Sequence, residues 1–113
     1  MSSPLITSKR PICYLGMYID PEMHYFAFCG KPVKLSLYRF QLMYFLLSEP
    51  EWVHSRERIQ GMNGPINVNS KRLVDTEIRR IRRVLTPNHD LSKKIITSVY
   101  GVGYRLWRRE DVE

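Results

Sequence analysis

Polar and apolar positions alternate along Ile12–Asp20, the first patterned stretch of the chain. Cys13, Leu15, Met17 and Ile19 fall on one side of the alternation, and Tyr14, Gly16 and Tyr18 on the other. A period of two predicts a half-buried β-strand. Asp20–Met23 reads as a turn whose backbone is restrained by Pro21. His24–Cys29 reads as the returning strand, and Gly30-Lys31-Pro32 turns the chain again into Val33–Leu35. The first third is thus expected to form a small antiparallel sheet.

At Ser36 the period changes. Leu37, Phe40, Met43 or Tyr44, and Leu47 recur at three- and four-residue steps, which predicts a helix capped by Ser36 and ended by Pro50. His54–Gly61 reads as a short second helix, capped by Ser55 and stopped by Gly61. Gly61–Asn69 has no period and many turn formers, so it reads as a loop, and Ser70 is placed to cap a third helix, Ser70–Leu85.

That third helix is strongly two-sided. At about 100° per residue, Val74, Ile78, Ile81 and Leu85 form one narrow stripe that must face a core. Arg72, Thr76, Arg79 and Arg83 lie opposite, with Arg80 on their shoulder. Asp75 and Arg82 share one flank, and Glu77 lies on the other. The arginines gather on one face instead of ringing the helix. Thr86–Asp90 reads as a loop and Leu91–Lys94 as a short connection. Ile95–Trp107 then shows two β-rich runs flanking Gly101-Val102-Gly103, a hairpin signal. Sheet, three helices and hairpin describe an α+β winged helix-turn-helix, in which one helix is shaped for the major groove and the hairpin lies beside it as a wing.

Charge sharpens this picture. The net charge is +7. Residues 1–51 carry five Lys/Arg against four Asp/Glu, whereas residues 52–109 carry thirteen against four. A basic half beside a near-neutral one points to a face built for a polyanion, and nucleic acid is the first candidate. Composition adds exclusions. Phe40–Leu47, the longest apolar stretch, is interrupted by Gln41 and far shorter than a membrane span. The start has no signal-peptide core, so a cytoplasmic protein is expected. Cys13 and Cys29 show no metal spacing and read as free buried thiols. His24, His54 and His89 are scattered and read as surface or turn residues, and no serine or carboxylate pair is arranged for catalysis, so neither an enzyme nor a cofactor is expected. The expected organisation is a flexible segment or linker over 1–11, one domain over 12–109 and an acidic tail over 110–113.

Three stretches resemble the DNA-binding domain of response-regulator transcription factors of the OmpR/PhoB type. Trp52–Ile59 resembles the family's short second helix. Asp75–Leu85 (DTEIRRIRRVL) resembles its recognition helix, usually Asp-Val-His-Ile-x-x-Leu-Arg-x-x-Leu. Ser98–Leu106 (SVYGVGYRL) resembles its wing, usually Thr-Val-Arg-Gly-x-Gly-Tyr. The resemblance spans about Ile12 to Trp107. It implies sequence-specific binding of double-stranded DNA by a bacterial regulator of a two-component system, on direct repeats. It also implies a receiver domain that takes a phosphoryl group from a histidine kinase, a homodimer partner, and a loop carrying Met62, Asn63 and Ile66 that either contacts RNA polymerase or is a plain connector with its apolar residues folded inward. By the same resemblance Arg80 is the expected base reader. Arg72, Arg79 and Arg83 are expected on bases or phosphates, Thr76 on the same face, and Ser98, Tyr100 and Arg105 on the wing side. Lys71 and Arg82 are left between phosphate contact and salt bridges.

Three departures stand out. The first helix begins Ser36-x-x-Arg39 where the family has Thr-x-x-Glu, so half of a capping box survives. Glu77 stands where the recognition helix usually carries His, either repelling the backbone or accepting a hydrogen bond from cytosine. Tyr100 stands where the wing usually carries Arg. Glu77 and Tyr100 are the features that keep a rival open, a winged-helix protein-interaction module without DNA readout. RNA binding is a weaker third reading, since the sheet lacks the paired aromatics of common RNA-binding folds.

Overall fold

The computed structural model describes residues 10–61 and 70–112, with Ser70 described in its backbone alone. The N-terminal segment before Arg10, and the loop with Met62, Asn63 and Ile66, lie outside the described residues. So does any cap by the Ser70 side chain.

Ile12–Asp20 is not one strand. It is a tight hairpin of β1 (Ile12–Tyr14) and β2 (Met17–Asp20). Leu15 and Gly16 both take positive φ, 42° and 90°, the backbone of a two-residue hairpin turn. The turn reverses the face assignment at its start. Cys13 now pairs with Tyr18 on the outer face, while Tyr14 opposite Met17 and Ile12 opposite Ile19 point inward. Cys13 and Cys29 are therefore exposed, not buried. β3 (Tyr25–Phe28) follows, with Phe26 and Phe28 lying beside Ile19 and Met17. The last strand of this sheet, β4, is Lys31–Pro32 and not Val33–Leu35; Val33 adds one further bond to the Phe26 carbonyl before the chain leaves.

Ser36 caps α1 (Leu37–Ser48), its hydroxyl accepting from the Arg39 amide. The helix buries Phe40, Leu42, Met43, Leu46 and Leu47, but Leu37, expected in that stripe, is exposed in the first turn. β5 (His54–Ser55) and α2 (Arg56–Gly61) come next, with the Ser55 hydroxyl accepting from Arg58 N. α3 spans Ser70–Leu85, and Val74, Ile78 and Ile81 are fully buried with Leu85 nearly so, as its stripe requires.

A fourth helix, α4 (His89–Ile95), occupies what reads as loop and connection. It is capped by Asn88, whose side chain accepts from Leu91 N, and carries Asp90 in its first turn and Lys93 and Lys94 in its last. The hairpin β6 (Ile96–Val99) and β7 (Gly103–Leu106) then pairs with β5 in a second sheet, order β5-β7-β6. A single turn, α5 (Arg109–Val112), takes up most of the acidic end: Asp111 accepts from the Arg108 amide and from Arg105. The two sheets clamp one core, and Tyr14 on the first donates to the Trp107 carbonyl just after the second.

His54 corrects a further expectation. It is buried, not at the surface, with Nε2 3.1 Å from the Glu49 carbonyl. Its strand crosses so close to β7 that a Cβ on Gly103 would lie 2.0 Å from the His54 carbonyl oxygen. Only Gly101, at φ +78°, serves the turn itself. Gly103 instead admits a neighbouring backbone.

Candidate nucleic-acid interface

With its stripe buried, α3 presents Arg72, Arg79, Arg80 and Arg83 to solvent, and Thr76 half-buried among them. Arginine suits such a face because its planar fork can donate two parallel hydrogen bonds to guanine or to a phosphate. Lys71 at the start of the helix is taken up by Glu57 of α2, Nζ to Oε2 2.8 Å.

Glu77 does not join this face. It is 8% exposed and turned toward α1, where Arg39 Nε meets its Oε1 at 2.5 Å. Its other oxygen lies 3.4 Å from Arg80 Nη1. Both fates expected for Glu77, repulsion of a DNA backbone or acceptance from cytosine, therefore give way to an internal tether. The same carboxylate pulls one edge of Arg80 toward the helix, while the Arg80 side chain stays 54% exposed.

The other flank of α3 locks the wing. Asp75 accepts from Arg56 Nε at 2.8 Å and from the Tyr104 hydroxyl. Burial first, and then the hydrogen bond and charge of Asp75, raise the Tyr104 pKa above the ordinary phenol value. The hydroxyl thus stays a neutral donor. Of the two alternatives open for Arg82, the salt bridge is not formed: the guanidinium pairs with no acid among the described residues. It donates to the Ile96 carbonyl and, at 3.0 Å, to Ser98 Oγ, and it lies over the Tyr104 ring. Arg82 is a strut between α3 and β6. Tyr104 is buried with its hydroxyl in this network.

Wing residues divide. Tyr100 is fully exposed at the hairpin tip, and Ser98 is exposed on β6. Arg105, expected to reach a phosphate, is instead turned back: Nη1 lies 3.1 Å from the Leu106 carbonyl and 3.3 Å from Asp111 Oδ2, and its side chain is 17% exposed. Its guanidinium is consumed by the C-terminal turn. Among the described residues no group of three or more His, Cys, Asp or Glu could hold a metal ion, and no helix is long and apolar enough to cross a membrane.

Residues 30–106 match the family described as "Transcriptional regulatory protein, C terminal". The chain belongs to this family. It is 34% identical over 96 residues to the phosphate regulon transcriptional regulatory protein PhoB of Escherichia coli K12, covering 83% of this chain and 41% of that protein. The chain thus spans about two fifths of the curated relatives it matches. Among solved structures, the response regulator DrrB of Thermotoga maritima, an OmpR/PhoB homologue, superposes with a TM-score of 0.72 at 26% identity, covering 92% of this chain and 47% of that one. The Klebsiella pneumoniae RstA DNA-binding domain, solved with the RstA box, superposes with a TM-score of 0.75 at 23% identity, covering 86% and 96%. The winged-helix fold of this family member is thereby shared with these domains.

Proposed function

We propose that this chain is the sequence-specific, double-stranded DNA-binding domain of a bacterial transcription regulator of the response-regulator type. α3 enters the major groove and the β6–β7 hairpin lies on the adjacent minor groove. The observation that carries this reading is the pairing of a solvent-facing arginine row on α3 with a hairpin locked to that helix through Asp75, Tyr104 and Arg82. Helix and wing form one rigid reading head, which a duplex with two grooves in fixed relation demands.

In this reading Arg80 reads a base, and Arg72, Arg79 and Arg83 hold bases or phosphates beside Thr76, with Ser98 and Tyr100 reached by the wing. Glu77, paired with Arg39, no longer favours a protein-only module. The domain works by binding and not by catalysis, in the cytoplasm where the chromosome lies, on direct repeats about one helical turn apart. A receiver domain, a second copy of the chain and RNA polymerase are its proposed protein partners. The solved RstA domain on its box supports the DNA assignment by analogy.

Retention on heparin and a shift of random duplex, weakening steeply as salt rises, test binding itself. Selection of bound duplexes from a random pool supplies the preferred site. Arg80→Ala should then cost about 1–3 kcal/mol on that site and relax one or two base pairs. Equal weakening on every sequence would make Arg80 a phosphate contact. No shift at all would overturn the DNA reading in favour of a protein-interaction module.

A further inference from the structure

Six of the described cations have carboxylate partners. Arg39, Arg56, Arg58, Lys71, Arg80 and Arg105 each pair with an acid. Among the described residues Arg79, Arg83 and Lys93 pair with none. These three border one concavity of about 620 Å³ between the C-terminal half of α3 and α4, with Arg82 and His89 also on its wall and no carboxylate in its lining. Like charges held this close repel one another. Burial pulls the Arg82 pKa below the ordinary guanidinium value, Tyr104 opposes, and the Arg79 charge lowers it further. Three unpaired cations and the Arg82 guanidinium around one hollow with no carboxylate in its lining favour an anion there.

The position of the hollow says which anion. Arg79 and Arg83 belong to the outward face of α3, and Arg82 reaches from α3 to Ser98 on the wing strand β6. The hollow therefore borders the outward face of α3 on its α4 side. If α3 lies in a major groove, a sugar–phosphate strand that bounds that groove must run along the flank of the helix.

We propose that the concavity between α3 and α4 holds a phosphate oxyanion of the DNA backbone, with Lys93 of α4 as a ligand from outside the helix-turn-helix, beside Arg79 and Arg83. The proposal rests on the DNA-binding reading above and extends the contact surface onto α4. Lys93 neutralises a backbone charge and reads no base, so it should add affinity without sequence preference.

Lys93→Ala tests this, with Lys94→Ala as the control. Both lysines are exposed in the same helical turn and both border a second hollow beside Arg105 and Asp111, but only Lys93 also lines the hollow of Arg79 and Arg83. Alanine is the better helix former, so neither change threatens the fold. Binding of the preferred duplex and of a scrambled duplex is measured from low to moderate salt. Lys93→Ala is expected to weaken both about two- to fivefold and to flatten the salt slope by about one counterion. Lys94→Ala should leave the slope near wild type. An unchanged slope for Lys93→Ala, equal losses for both lysines, or a change in base preference would each overturn the proposal. A second arm titrates inorganic phosphate into the duplex-free protein and follows the Lys93 side-chain signal by NMR. Saturation at low millimolar phosphate, with an unchanged duplex slope, would assign the hollow to a free phosphate and overturn the backbone assignment. If wild type itself fails to shift either duplex, the DNA reading fails first, and that outcome is distinguishable from all of these.

Discussion

Arg39 and Glu77 are 38 residues apart in the chain and 2.5 Å apart in the fold, Nε against Oε1. Each is a departure from the OmpR/PhoB pattern, and each looks isolated in the sequence. Together they are a single contact between α1 and α3, and it removes a carboxylate from the face of the arginine row. Arg39→Ala should leave Glu77 poorly compensated in an 8% exposed position. The expected loss is about 1–3 kcal/mol, below that of a fully buried broken pair because the Arg39 side chain is 26% exposed. Denaturant midpoints measure it. The double variant Arg39→Leu with Glu77→Leu should recover most of the loss, since it strands no charge. A double variant as unstable as the single would mean that the charge pair is not the cause.

This pair marks where a single sequence stops being readable. The stripe Val74, Ile78, Ile81 and Leu85 was legible because four apolar residues at helical spacing leave one orientation, and burial follows it. The Ser36 cap and the β6–β7 hairpin were legible from local chemistry. Three features were not, for separate reasons. Leu15 fits both an alternating strand and a core, so the turn at Leu15-Gly16 carried only a lone glycine as signal, and Cys13 was assigned to the wrong face. α4 has only about two turns, too short for periodicity. Its signature was still present in Asn88 as cap, Asp90 early, Lys93 and Lys94 late, and Leu91 and Ile95 one turn apart. Arg82 takes partners on β6 and His54 pairs with β7, both distant in the chain, while Arg105 meets Asp111 only because the acidic end turns back as α5, and no local pattern announces these.

The Asp75–Tyr104 bond makes a pH prediction. The Tyr104 pKa is raised in the fold, chiefly by burial, and those of Tyr14 and Tyr38 are raised chiefly by burial as well. A raised folded pKa means that the contribution is fully present below the unfolded value, about 10. It is lost as pH rises through the folded value. Stability should therefore hold through neutral pH and fall on the alkaline side of 10. Tyr104→Phe should cost about 1 kcal/mol near neutrality and make the alkaline fall shallower. Thermal melts of both proteins across that range check this. Parallel alkaline falls would show that Tyr104 is not among the groups responsible.

Gly101 and Gly103, two residues apart in the wing, should behave differently. Gly101→Ala meets open space and only the strain of φ +78°, so it should cost roughly 1–2 kcal/mol. Gly103→Ala drives a Cβ to 2.0 Å from the His54 carbonyl, where backbone must give way. It should cost more than Gly101→Ala, about 3 kcal/mol or above, and should separate β5 from β7. Melting temperatures rank them. The reverse ranking would mean that β5 does not run against Gly103 in solution.

Tyr100 tests whether the wing meets DNA at all. It is fully exposed at the hairpin tip, next to Gly101, where the family pattern has Arg. Its ring can offer a hydroxyl but no positive charge to a narrow minor groove, whose potential is more negative in A·T-rich sequence. If the tip lies in that groove, Tyr100→Arg places a cation there. Binding should tighten, favour a duplex with an A·T-rich flank, and gain about one released counterion in its salt dependence. The wing is locked to α3 by Arg82 and Tyr104, so the new charge cannot swing freely to a distant phosphate. Salt titrations of wild type and variant on two duplexes that differ only in the flank read both effects. Identical slopes and no flank preference would place the tip away from DNA, leaving α3 as the reading element and Tyr100 free for a protein partner.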